Sequence, residues 1–332
     1  MKQRIEWLDA MKGIAIILVI LGHIYNSMNL FLQPINQWLH LFHMPFFFML
    51  SGFLAIRTSS KSLIENIKNK FISLIIPFII GGTIFSLTME SLNNYIFDLH
   101  HCGYWFLFSL FTCWIIFLPL SIITHSFHDI IKIIILIIPF FLGNFLMKCL
   151  PESISNSLSF PLSFSYYRFF ILGYAIGVIY NNQKLKEKIK TLFSFDIIFM
   201  ISYMIFFCIS LFVITKPNNI KLIPTTFLQI ILCISLFLIL YFSKNFIQQK
   251  FFRILCYLGK NSLALYVFHF YFVYLFPIPQ STSFSSGIQT LIALGLTTIV
   301  IIATMGLASP FKNNSILSFL FLGQNINKKK LK

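Results

Sequence analysis

The stretch Arg4–His23 reads RIEWLDAMKGIAIILVILGH, and the interpretation of the fold starts from it. Its first turns carry the charged side chains of Arg4, Glu6, Asp9 and Lys12. After Lys12, ten residues without a charge lead to His23. At 100° per residue, the step from Lys12 to His23 is three turns plus about 20°, so both side chains lie on one helix face, roughly 16 Å apart along the axis. The stretch therefore predicts a membrane helix with one face that carries a cation at the membrane surface and a titratable group in the membrane interior.

The composition of the chain predicts a polytopic membrane protein. Of its 332 residues, 58% are hydrophobic and 10% are charged, and the mean hydropathy is +0.84. Soluble globular domains carry about 25% charged residues. The net charge of +16 resides in short clusters between apolar runs, which is typical of loops at the inner membrane surface. We therefore expect these clusters to meet membrane lipids and not nucleic acid.

Ten apolar runs approach the length of about 20 residues that a membrane-spanning helix needs. They cover approximately residues 9–29, 37–57, 71–89, 105–124, 131–149, 165–180, 196–215, 222–242, 262–277 and 287–308. The sixth and ninth runs are short and the sixth contains Arg168, so we expect either of them to be tilted or broken. The predicted fold class is all-α, a polytopic membrane bundle of about ten transmembrane helices.

Lysine and arginine alternate between the two sides of this predicted bundle. The connections after the second, sixth and eighth runs and the C-terminal tail are rich in them: Arg57, Lys61, Lys68, Lys70, Lys184, Lys186, Lys188, Lys190, Lys244, Lys250, Arg253, Lys260, Lys328, Lys329, Lys330 and Lys332. The intervening connections are poor in both residue types, so the positive-inside rule places both termini in the cytoplasm. Residues 1–310 are predicted to form the transmembrane domain, and residues 311–332 an interfacial segment with a basic cytoplasmic tail.

Few ionisable side chains are predicted to lie within the hydrocarbon layer, and each is a candidate for function. They are His23, His43, His269 and Arg168. If the first helix ends near Asn29, His23 lies about 9 Å below the outer surface, and His43 reaches the same depth on the second helix. Short connections favour neighbouring helices, so we expect His23 and His43 to share a substrate.

Structural roles remain open for most of these side chains. His23, His43 and His269 are also compatible with helix packing, and Arg168 with a guanidinium that reaches the outer headgroups. Asp9 is also compatible with an ion pair that orients Lys12 at i,i+3. The spacing of His40 and His43 would suit a metal, but no carboxylate or cysteine accompanies them in the membrane, so we expect no metal.

Four sequence motifs resemble the acyltransferase 3 family of integral membrane proteins, and within it the fucose 4-O-acetylase-like branch of sugar O-acetylases. The motifs are RIEWLDAMKGIAIILVILGH at 4–23, HLFHMPFFFMLSGFL at 40–54, YWFLFSLF at 104–111 and GKNSLALYVFH at 259–269. They occur in order over most of the chain. The first two are specific to the family, and the other two are supportive.

The resemblance implies a ten-helix bundle in the bacterial cytoplasmic (inner) membrane. It implies transfer of an acetyl group from cytoplasmic acetyl-CoA to a hydroxyl of a cell-envelope glycan or its lipid-linked precursor. The family's basic residue, followed after ten residues by a histidine, corresponds to Lys12 and His23, with lysine where many members carry arginine. The family's pair of arginines before the third helix matches poorly, because Lys70 stands at the first position and Ser73 at the second.

These considerations predict a role for each candidate residue. A sugar hydroxyl needs a base with a pKa near 7, so His23 is predicted to take the hydroxyl proton or to become transiently acetylated. His43 would orient His23 or hold the acceptor, with Asp9 as a further catalytic residue. CoA phosphates are assigned to Lys12, Lys68 and Lys70, and the acceptor to Arg168, Trp105 and His269. The alternative function is a transporter of a lipid-linked sugar or small metabolite.

Overall fold

The computed structural model describes residues 4–30, 33–58, 62–89, 92–184, 187, 191, 194–215, 224–243, 248–275 and 284–324. Within these ranges all regular structure is helical and no strand occurs. Nine helices of this described part are long and apolar enough to cross a membrane. The all-α polytopic class is therefore confirmed.

The helices follow one another through the chain with short connections. They are α1 (Glu6–Ser27), α2 (Pro34–Ala55), α3 (Leu63–Lys70), a π-helical turn (Phe71–Ile75), α4 (Ile76–Met89), α5 (Leu92–Phe97), a 3₁₀ turn (His101–Gly103), α6 (Trp105–Ile123), α7 (Asp129–Leu146), α8 (Glu152–Ser157), α9 (Phe160–Asn181), α10 (Phe195–Thr215), α11 (Thr225–Ser243), α12 (Gln249–Lys260), α13 (Ser262–Leu275), α14 (Ser286–Asn313) and α15 (Ser315–Leu322). Each of the ten predicted runs corresponds to one of the longer helices.

The sixth and ninth runs are each one continuous helix over the described residues, so neither is broken there, and the expected tilt stays a prediction. The sixth is the 22-residue helix α9, which contains Arg168. The ninth is the 14-residue helix α13. The third begins at Leu63, eight residues earlier than predicted, because the Ser62 hydroxyl accepts a hydrogen bond from the Glu65 amide at 3.2 Å and caps a polar first segment.

The chain divides into two compact units. The first consists of Met1–Leu50, Ile179–Leu265 and Phe276–Ile302, and the second of Ser51–Val178, Tyr266–Leu275 and Ala303–Lys332. The first unit thus contains α1, residues 34–50 of α2, and α10, α11 and α12. The second contains α3 to α8, most of α9, and α15.

In the first unit, α1 and α12 pack with their main chains in contact. A Cβ atom at Gly13 would lie 2.2 Å from the carbonyl oxygen of Leu255, and one at Gly259 would lie 1.7 Å from the carbonyl oxygen of Asp9. Only glycine fits at two such positions, because any side chain would force the helices apart. The segment 249–260, which the charge pattern assigns to a basic connection, is therefore a helix that holds the start of α1.

In the second unit, the segment after α14 is a short capped helix, α15. The Asn314 side chain accepts hydrogen bonds from the amides of Ile316 and Leu317, and Gly323 ends the helix in the left-handed conformation. α15 packs against α4. The predicted division at residue 310 stays a prediction, and the predicted basic tail from residue 325 onward lies outside the described residues.

Candidate functional site

The polar start of α1 is organised around the carboxylate of Asp9, which is 4% exposed. The Arg4 guanidinium donates to both of its oxygens, at 2.5 Å and 3.3 Å. Among the described residues, the ion pair of Asp9 is thus with Arg4 and not with Lys12. This bidentate contact holds Arg4, which precedes α1, against the first turn of that helix. A catalytic role of Asp9 stays a prediction.

Lys12 and His23 lie on one continuous helix, because α1 runs without interruption from Glu6 to Ser27. Both side chains are partly buried. The helical geometry that places Lys12 and His23 on one face of α1 is therefore present.

The helices α1 and α2 meet near their connection. The Asn36 amide donates to the side-chain oxygen of Asn26 at 2.9 Å, and Asn36 is buried. Deeper in the pair, a Cβ atom at Gly22 would lie 3.8 Å from Nε2 of His40. The His40 ring thus lies against α1 at Gly22, the residue before His23, at an ordinary van der Waals distance.

His40 and His43 form what we call the histidine cluster, and this cluster meets α1 at Gly22, the residue before His23. The rings of His40 and His43 have centroids 4.9 Å apart and meet edge to face at 78°. His40 therefore connects His43 to α1 at Gly22, next to His23. The sequence pattern predicts a direct pairing of His43 with His23, and the structure adds the contact of His43 with His40.

The hydrogen bond of His43 decides where its basic nitrogen lies. Nδ1 lies 2.6 Å from the carbonyl oxygen of Leu39, one turn earlier on α2. A carbonyl oxygen only accepts, so Nδ1 carries the proton and Nε2 carries the lone pair. The His43 side chain is buried, at 4% exposure. A buried imidazole held in one tautomer is suited to accept a hydrogen bond from a hydroxyl group.

The two lysines of the second unit that were assigned to the donor differ in their surroundings. Lys68 is exposed on α3. The Lys70 ammonium lies 3.5 Å from the ring centroid of Trp114, which is 2% exposed on α6. This is a cation–π contact with the aromatic side chain that favours it most. The structure thus gives Lys70, and not Lys68, a defined position.

The three residues assigned to the acceptor occur in the second unit on α6, α9 and α13. Trp105 packs against Tyr166 with ring centroids 5.2 Å apart, two residues before Arg168. The Arg168 guanidinium lies 4.9 Å from the ring centroid of Phe169, in a second cation–π contact. His269 is fully buried, and its Nδ1 donates to the carbonyl oxygen of Tyr266 at 2.8 Å. Their roles in acceptor binding stay predictions.

A left-handed turn, His101–Gly103, is a feature that the sequence analysis missed. The φ angles of His101, Cys102 and Gly103 are 45°, 51° and 93°. Successive left-handed residues are costly for side chains other than glycine, and such strain persists only where the surroundings enforce it. The Tyr266 hydroxyl donates to the carbonyl oxygen of Gly103 at 2.6 Å, and the Tyr104 hydroxyl donates to that of Val267 at 2.6 Å.

His101 itself is buried in this turn, although it is not among the candidate residues of the sequence analysis. Its Nδ1 donates to the carbonyl oxygen of Tyr95 at 2.6 Å, and its ring meets the Phe78 ring at 5.3 Å. Burial lowers the pKa of His101, and burial also raises the pKa of the Tyr104 hydroxyl. The one local signal was the run HHCGYW, which places a glycine directly before two aromatic residues.

Comparison with known proteins identifies a family over nearly the whole chain. The sequence model of the acyltransferase 3 family, described as an acyltransferase domain, matches residues 5–308. Two curated relatives are named nodulation protein NolL. The one from Sinorhizobium fredii is 37% identical over 21% of this chain and 21% of its own length. The one from Mesorhizobium japonicum is 30% identical over 32% of this chain and 34% of its own length.

The chain thus spans about a fifth and a third of the lengths of these two relatives. No solved structure matches the chain. The family match, in contrast, includes every candidate residue of the site and all four motifs singled out in the sequence except Arg4, the first residue of the first motif. The chain belongs to the acyltransferase 3 family of membrane proteins.

Proposed function

We propose that this membrane acyltransferase moves an acetyl group from acetyl-CoA to a hydroxyl of a cell-envelope glycan or its lipid-linked precursor, with His23 as the base. The observation that carries the proposal is the histidine cluster. His40 lies against α1 at Gly22, next to His23, and contacts His43. Imidazole is the side chain whose ordinary pKa suits proton transfer near neutral pH.

The proposed reaction moves one proton and releases one leaving group, CoA. The acceptor hydroxyl gives its proton to the imidazole of His23 while its oxygen attacks the thioester carbonyl carbon. The new C–O bond forms, the C–S bond breaks, and the CoA sulfur leaves with the proton that the imidazolium returns. His43 has its lone pair on Nε2, so it accepts a hydrogen bond from the acceptor hydroxyl or orients that group for attack.

The donor is assigned to Lys12 near the start of α1 and to the basic residues of α3. Lys12 lies roughly 16 Å along the helix axis from His23, a distance that suits an extended pantetheine arm. The ammonium groups of Lys12, Lys68 and Lys70 are proposed to bind CoA phosphates. The positive-inside rule supports an inner-membrane location with both termini cytoplasmic, which puts these cations on the side where acetyl-CoA is made.

The decisive experiment uses the full chain purified in detergent with acetyl-CoA and candidate glycans. CoA release together with an acetyl mass gain on the glycan is the expected result. His23→Ala should lower the rate by about 10²–10⁴-fold, the usual contribution of a general base. His125→Ala is the matched control, because His125 is exposed in the connection between α6 and α7.

Two outcomes would reject the proposal. Retained transfer by His23→Ala at equal protein abundance would remove His23 as the base. Movement of a lipid-linked sugar across proteoliposomes without CoA release would favour the transporter alternative.

A further inference from the structure

We propose that Gly323, at the end of α15, is a positioning residue for donor binding that acts through Lys70. The inference rests on the proposed function, in which Lys70 binds a phosphate of acetyl-CoA. Gly323 lets α15 approach the π-helical turn that immediately follows Lys70. Every contact in the argument lies within the second unit.

The π-helical turn Phe71–Ile75 sets the direction of Lys70. It interrupts an otherwise continuous helix between α3 and α4. Single π-helical turns are rare and occur frequently at functional sites. The Ser73 hydroxyl donates to the Lys70 carbonyl oxygen at 3.3 Å, so the turn and the lysine are directly connected. From this backbone position the Lys70 ammonium reaches the Trp114 ring at 3.5 Å.

Gly323 touches this turn with its main chain. A Cβ atom at Gly323 would lie 2.5 Å from Cα of Ser73 and 2.6 Å from the carbonyl oxygen of Ile72. Both contacts are with backbone, so a side chain at this position cannot be accommodated by a rotamer change. The φ angle of 57° independently favours glycine.

The opposite side of α15 is fixed, so the helix cannot retreat from a larger residue at position 323. The Phe321 ring packs on those of Phe268 and Phe311, with centroids 5.6 Å and 4.9 Å away. The Ser318 hydroxyl donates to the side-chain oxygen of Gln324 at 2.7 Å and closes the C-terminal cap. A side chain at Gly323 must therefore displace the π-helical turn, and with it Lys70.

The predicted consequence is specific to the donor. When Lys70 is turned away from Trp114, its ammonium loses the position that the cation–π contact gives it. Binding of the acetyl-CoA phosphates weakens, whereas the acceptor and the histidine cluster keep their surroundings. Gly323→Ala should raise KM for acetyl-CoA by about tenfold, with kcat and the acceptor KM within about twofold, if the displacement removes one charge-assisted contact.

The matched control is Gly306→Ala on α14, where an added Cβ meets nothing within 4 Å. Gly323→Asn separates the two reasons for glycine. Asparagine tolerates the left-handed conformation, but its Cβ atom makes the same backbone contacts, so it should behave like alanine. Trp114→Phe is a milder variant that keeps an aromatic ring while weakening the cation–π contact, and it should raise the same KM to a smaller extent.

The Lys70→Ala background tests the connection itself. If Gly323 acts through Lys70, Gly323→Ala should add little to the donor KM of Lys70→Ala, because coupled residues are not additive. An equal increase in both backgrounds overturns the inference, and so does an unchanged donor KM in Gly323→Ala.

Amide hydrogen exchange at residues 71–75 provides a readout that does not depend on the reaction. Faster exchange in Gly323→Ala, but not in Gly306→Ala, supports the positioning of the turn. Unchanged exchange overturns it. If the wild-type protein releases no CoA from acetyl-CoA with any acceptor, the proposed function fails, and the exchange result alone decides whether Gly323 positions the turn.

Discussion

His43 and His101 are two buried histidines, one in each unit, that make the same hydrogen bond in different surroundings. Each has Nδ1 2.6 Å from a carbonyl oxygen, that of Leu39 for His43 and that of Tyr95 for His101. Their exposures are 4% and 2%. In both, the bond leaves the lone pair on Nε2.

The neighbours of the two rings separate their roles. His43 meets the exposed imidazole of His40 in the histidine cluster. His101 meets the rings of Phe78 and Phe108, and its Nε2 has no hydrogen-bond partner within the described part of the chain. A fixed tautomer is therefore not sufficient for catalysis. A base also needs a way for a substrate proton to arrive, and the exposed ring of His40 beside His43 is the candidate for it.

The largest expected effect is on activity and compares the two histidines directly. Asparagine can keep a donor near the Nδ1 position but has no basic nitrogen. His43→Asn should lower kcat by about 10²-fold, and His101→Asn should leave kcat within about twofold. Acetyl transfer measured at saturating donor and acceptor checks both. The reverse order of effects would break the distinction between a reactive and a structural histidine.

The next effect is on stability and compares the glycines that accompany each histidine. A Cβ atom at Gly82 would lie 2.3 Å from the ring of Tyr95, the residue whose carbonyl oxygen accepts the hydrogen bond from His101. A Cβ atom at Gly22 would lie 3.8 Å from His40, which is an ordinary contact distance. Gly82→Ala should destabilise the protein by about 1–3 kcal/mol.

Gly22→Ala should be neutral or stabilising by up to about 1 kcal/mol, because alanine favours the helix. Thermal unfolding in one detergent compares the two variants. Equal losses of stability would show that the surroundings of His40 are as tightly packed as those of His101.

The smallest effect is a pH dependence that belongs to His101. Burial lowers its pKa from the ordinary 6.5, and this outweighs the opposing effects of the Tyr95 carbonyl and of Asp98. As the pH falls through 6.5, the unfolded chain binds a proton that folded His101 does not, so stability decreases toward acid.

Unfolding temperatures at pH 7.5 and 5.5 measure this contribution. The decrease toward acid should be smaller in His101→Asn than in the wild type and in the control His125→Asn. An identical decrease in all three proteins would show that His101 charges in the folded state without cost.

Much of the fold follows from hydrophobic length, because the bilayer thickness fixes how long an apolar run must be. The same criterion misses α12, where Lys250, Arg253 and Lys260 favour a loop. Apolar residues in that segment recur with helical spacing, at Phe252, Leu255 and Cys256, but the charge pattern outweighed them. It also misses the polar start of the third helix at Leu63, since a helix continues beyond the hydrocarbon layer wherever its cap permits.

The site divides in the same way. His23 and His43 were selected as candidates because a titratable group in an apolar run is costly and therefore conspicuous. The contact of His40 with Gly22 depends on two helices meeting, and no local pattern records it. The burial of His101 depends on a left-handed turn that Tyr266 holds from a distant helix. Both features depend on contacts between residues that are far apart in the sequence, and local sequence patterns do not record such contacts.

The glycine contact between α1 and α12 has a mechanical consequence. With the two main chains touching at Gly13 and Gly259, α12 cannot rotate or slide without carrying the first turns of α1. Lys250 and Arg253 lie on the exposed side of α12, where anionic headgroups attract them. Hydrogen exchange of residues 6–12 in neutral and anionic nanodiscs would report the coupling, and identical exchange would disprove it. The charge of the surrounding leaflet would then determine, through α12, how deeply the Arg4–Asp9 ion pair lies in the membrane.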